Sequence, residues 1–75
     1  MNIAISRRWE STKRYYCARL YTDLLGHVVI ESSWGGRFNR LGGRATLPVE
    51  TMEEGAYILD QLNKERLKRQ YHEVL

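Results

Sequence analysis

The stretch Trp34-Gly35-Gly36-Arg37-Phe38-Asn39-Arg40-Leu41-Gly42-Gly43-Arg44 constrains this chain more than any other. It holds four glycines, three arginines and no acid. Glycine pairs let the backbone enter φ > 0 conformations and approach a partner closely. They predict a long hairpin loop between a strand over 28–33, running into Trp34, and a strand over 44–49. Arginine supplies planar forks of donors that suit phosphate oxygens. Tryptophan supplies a flat face that stacks on a sugar or base. The same composition also suits a mobile loop whose arginines are merely solvated.

Charge favours a binding face in this half of the chain. The net charge is +3. Residues 1–44 carry eight Lys/Arg against Glu10, Asp23 and Glu31, or +5, and residues 45–75 sum to −2. Basic character therefore peaks near the glycine–arginine stretch, and a sequence pI of about 9.3 favours polyanionic partners.

Seventy-five residues allow one domain, 1–75, with little material for a deep catalytic pocket. A single cysteine, Cys17, excludes an intramolecular disulfide and fits a reducing cytoplasm. It reads as a small hydrophobe, because no activating neighbour is evident. The run Met1–Ser6 is too short for a signal peptide, and no stretch approaches a membrane span. His27 and His72 lack clustered ligands, so neither a metal nor a cofactor is expected.

Periodicity gives the elements. Residues 2–9 alternate, with Ile3, Ile5 and Trp9 on one parity, and read as a first strand. Glu10 to Lys13 is a turn. Over 14–23, Tyr16, Ala18 and Leu20 oppose Tyr15, Cys17, Arg19 and Tyr21. Gly26 marks the next turn, and parity puts Trp34 on the face of Ile30 unless a bulge re-aims it. Pro48 closes the fourth strand or places it at an edge. Thr51 and Glu54 form a capping box ahead of a helix over about 52–68, with Met52, Ala56, Ile58, Leu59 and Leu62 as its core stripe. Lys64, Arg66, Lys68 and Arg69 read as surface cations complementing the helix dipole. Tyr71 to Val74 either returns as a short strand or docks. The expected fold is α+β: one antiparallel sheet of about four strands with a C-terminal helix across one face.

In that order of elements, Trp34-Gly35-Gly36-Arg37, Leu41-Gly42-Gly43-Arg44 and Lys68-Arg69-Gln70-Tyr71 resemble the WGR domain family. This domain occurs in poly(ADP-ribose) polymerases and as small stand-alone bacterial proteins, and the likeness runs from about Lys13 to Tyr71. Gly36 is an extra glycine within the motif, and Gln70 stands where many members have glycine. The resemblance implies a non-catalytic DNA-binding module, with Trp34 stacking on a sugar and Arg37 contacting phosphate or a partner domain.

The candidate nucleic-acid residues are therefore Trp34, Arg37, Arg40 and Arg44, extended by Arg7, Arg8 and Arg14. Trp34 keeps a second reading, as core beneath the helix. Two other functions stay open. One is a protein-interaction or self-association module using the face of Tyr15, Cys17 and Tyr21, with the chain otherwise a monomer or weak homo-oligomer. The other is a small ribonuclease with His72 as general acid or base and Arg37 or Arg44 stabilising the phosphorane.

Overall fold

The alternation of Tyr16, Ala18 and Leu20 with Tyr15, Cys17 and Arg19 becomes the central strand of an antiparallel sheet. A computed structural model describes residues 2–74. It consists of β1 (Asn2–Glu10), β2 (Arg14–Thr22), β3 (Val28–Gly36), β4 (Gly42–Val49), α1 (Met52–Lys68) and β5 (His72–Val74). The spatial order is β4-β3-β2-β1-β5, so the first four strands form a meander and β5 adds to its far edge. The fold is α+β, with one helix across one face of the sheet.

Side-chain parity sorts the two faces. Trp9, Ala18, Leu20 and Ile30 point toward the helix and are buried with Leu59 of α1. The indole of Trp9 is fully buried, and its Nε1 donates to Asn63 Oδ1 at 2.9 Å, which satisfies its one polar atom. Gly55 lets the helix settle on Leu20, whose Cδ2 lies 3.0 Å from where a Cβ would stand. Pairing of β1 with β2 slips by one residue between Ile3 and Ile5, and the face expected of the Ile3 side chain lies outside the described residues.

Both ends of α1 are capped. Thr51 Oγ1 accepts from Glu54 N–H at 3.0 Å, as the capping pattern predicts. At the other end Tyr71 N–H donates to Arg66 O at 3.0 Å and Gln70 N–H to Leu67 O at 3.1 Å. These are the two bonds of a Schellman turn, and Gln70 takes its left-handed position at φ 66°. The turn sends the chain back beside β1, where Glu10 pairs with His72 and Arg8 with Val74. Expecting about four strands leaves out this three-residue fifth one, too short to show an alternation of its own.

The glycine pairs differ from expectation. Gly35 and Gly36 end β3, Gly42 and Gly43 begin β4, and only residues 37–41 remain as the connection. Gly35 pairs with Gly42 and Trp34 with Gly43. Among the described residues only Gly26 and Gln70 have positive φ. These glycines therefore serve close approach: a Cβ on Gly43 would stand 2.9 Å from the Trp34 ring.

Candidate nucleic-acid interface

The helix-facing side of the sheet is not fully covered. No bulge interrupts β3, so Trp34 shares the face of Ile30. It lies beyond the shelter of α1 and is 38% exposed. The core reading of this residue is thereby corrected: it faces the core side but stands outside the core.

Two neighbours hold the indole. Tyr16, opposite it on β2, lies parallel, with ring centroids 6.0 Å apart and planes inclined by 12°. Gly43 gives it room on the β4 side. Tyr16 is fixed in turn by Arg66, whose guanidinium carbon lies 4.4 Å from the Tyr16 centroid and 5.4 Å from that of Tyr71. The Arg66 side chain is only 11% exposed, and its Nε is buried without a hydrogen-bond partner. It is not the solvated cation its sequence position suggests. It follows Leu59 and Leu62 at helical spacing, so it sits on the core stripe one turn past the last leucine.

Between the end of α1 and the 37–41 turn these residues line a groove of about 710 Å³. Its lining includes Lys13 and Arg14 around the start of β2, Arg66, Arg69 and Tyr71 around the end of α1, and Asn39 and Leu41 of the connection to β4. Asn39 Oδ1 accepts from Leu41 N–H at 2.9 Å and shapes the turn. Lys13 and Arg14 have no acidic partner among the described residues. Arg69 has one exposed partner, Glu65 at 3.1 Å, a pair of a kind that contributes little in water.

The other predicted arginines go elsewhere. Arg37 folds back on the β1–β2 turn: its Nη1 donates to Ser11 O at 3.2 Å and its Nη2 lies 3.6 Å from Glu10 Oε1. Its backbone N–H also donates to Lys13 O at 2.8 Å, so it ties two turns together. Arg44 pairs with Ser33, one residue out of phase with Trp34, and therefore points to the opposite face. Arg40 sits on the exposed turn and, with Arg44 and Trp34, borders a smaller depression of about 310 Å³. Arg7 donates to both Glu73 oxygens, at 2.6 and 2.8 Å, and clasps β5 to β1. These bonds raise the Arg7 pKa and hold Glu73 below the usual carboxylate range. Arg8 is on the uncovered face, 2.9 Å from Glu10 Oε2 and 4.7 Å from the Tyr15 centroid. Of the seven candidates, only Trp34 and Arg14 line the larger groove.

His72 pairs in register with Glu10, close to where Arg8 and Arg37 converge. The hydrogen bond from Arg8 lowers the Glu10 pKa, with smaller contributions from Arg37 and His72. Glu10 is thus the anion of an ion-pair cluster and a weak proton acceptor. Among the described residues no helix is long and apolar enough to cross a membrane.

No family model matches this chain, and no curated protein or solved structure shows significant similarity to it.

Proposed function

We propose that this domain is a WGR-like, non-catalytic nucleic-acid-binding module, with DNA the favoured ligand, acting in the cytoplasm. Stacking falls to Trp34 and phosphate contact to Lys13, Arg14 and Arg69. The observation that carries this reading is the half-open indole, backed by Tyr16, in a groove also lined by Lys13 and Arg14, which have no acidic partner among the described residues. Phosphate contacts carry no base identity, so binding is sequence-tolerant.

The test is a salt-titrated binding assay with short DNA. The expected result is binding at low salt that weakens as salt rises, because each neutralised phosphate releases counterions. Lys13→Ala with Arg14→Ala should weaken it at least tenfold, each phosphate contact being a charge-assisted bond. Absence of binding at low salt would refute the proposal.

One observation favours a second reading. Phe38 and Leu41, both in the 37–41 connection, are 79% and 77% exposed. Apolar residues held outward on a short turn suit docking on a protein partner. A pull-down that Phe38→Ser abolishes, and that added DNA leaves unchanged, would favour this reading over the first.

A further inference from the structure

We infer that the groove accepts one unpaired nucleotide, so that the ligand is single-stranded nucleic acid rather than closed duplex. This rests on the nucleic-acid reading above and specifies its ligand.

A base can stack on Trp34 only if it offers a free face. Inside a duplex both faces of each base are covered by neighbouring bases, and proteins reach only groove edges and backbone. The Trp34 ring is flanked: Tyr16 lies parallel to it, Gly43 is its partner on β4, and the end of α1 and the 37–41 turn supply further lining of the groove. A duplex closed at both ends presents no free base face to a ring so flanked. A single strand can bend a base or sugar inward instead.

Size and charge agree. A groove of about 710 Å³ is in the range that holds small ligands, about 300–1,000 Å³. Lys13 and Arg14 stand on the β1–β2 side and Arg69 on the α1 side. A backbone crossing between them meets cations before and after the inserted unit. With two or three phosphate contacts, and about −0.7 per phosphate for single strands, log K should fall with log salt at a slope of roughly −1.4 to −2.1. That is shallow compared with proteins that grip a duplex along many phosphates.

The decisive experiment is competition by fluorescence polarisation. A labelled 12-nucleotide single strand is displaced from the unmodified protein by unlabelled single strand, or by a duplex of the same length closed by a hairpin loop at each end. The single strand should compete at least tenfold better. Trp34→Ala should weaken single-strand binding about 5- to 150-fold, the range for base–aromatic stacking, and Trp34→Phe should recover much of it. Closed duplex competing as well as single strand overturns the inference alone, as does single-strand affinity that Trp34→Ala leaves unchanged. If neither nucleic acid binds at low salt, the nucleic-acid reading falls and the inference with it. Because the competition uses the unmodified protein, no variant's folding affects it.

Discussion

The two tryptophans stand on the same face of the same sheet and have opposite fates. Trp9 is fully buried under α1, with its N–H bonded to Asn63. Trp34 lies past the helix end, more than a third exposed, with one aromatic neighbour and a glycine beside it. Alternation gave both the same direction. What separates them is how much of the sheet one 17-residue helix covers. A chain of this size closes a core over the middle of the sheet and leaves one end of that face open.

The largest effect should come from the closed side. Trp9→Ala removes a fully buried indole and strands the Asn63 oxygen, at a cost of about 3–5 kcal/mol. For so small a domain that is most of its stability, and denaturant titration should find the variant largely unfolded. Trp34→Ala is the opposing case. It gives up one aromatic pair, about 1 kcal/mol, plus the packing of a partly exposed ring, so the same titration should show a clearly smaller loss than Trp9→Ala, while binding falls. Equal destabilisation by the two substitutions would break the comparison.

Gln70→Gly probes the turn that aims Tyr71 at Arg66. Relief of a left-handed non-glycine residue, offset by extra freedom in the unfolded chain, should stabilise by about 0.5–1 kcal/mol, readable as a raised denaturation midpoint. Gly43→Ala sharpens the contrast from the other side. Its methyl would enter the space of the Trp34 ring, so tryptophan emission should shift and nucleic-acid affinity fall, with the midpoint little moved.

The smallest effect is pH dependence. Glu73 is held below its ordinary value by Arg7, so it binds a proton more readily when unfolded. Its stabilisation is therefore present above about pH 4.5 and lost as pH falls through its lowered folded value. Glu73→Gln should flatten the acid limb of the stability curve without abolishing it, because Glu10 and Glu31 are lowered in the same way by Arg8 and Arg19.

The contrast between these regions also marks how far residue order alone could be read. The alternation in β2, the capping Thr51 and the apolar stripe of α1 are local patterns, and each predicts its element closely. Strand register is not local. Only the pairing of Gly35 with Gly42 shows that the glycines belong to the ladder, which leaves Arg44 on the face opposite Trp34. The Arg37 contacts to the β1–β2 turn depend on two segments 25 residues apart meeting. Arg66 and Tyr16 were legible in principle. Arg66 is the charged residue that continues the stripe of Leu59 and Leu62, and Tyr16 shares its parity with the core residues Ala18 and Leu20.

The account depends most on Trp34 being the surface that meets nucleic acid. Tryptophan emission during titration with single-stranded DNA at low salt tests this directly, because Trp9 is sealed and serves as an internal reference. The account predicts saturable quenching in the unmodified protein that disappears in Trp34→Phe, although that variant still binds. Binding that leaves the Trp34 emission unchanged, or no binding at all, would contradict it.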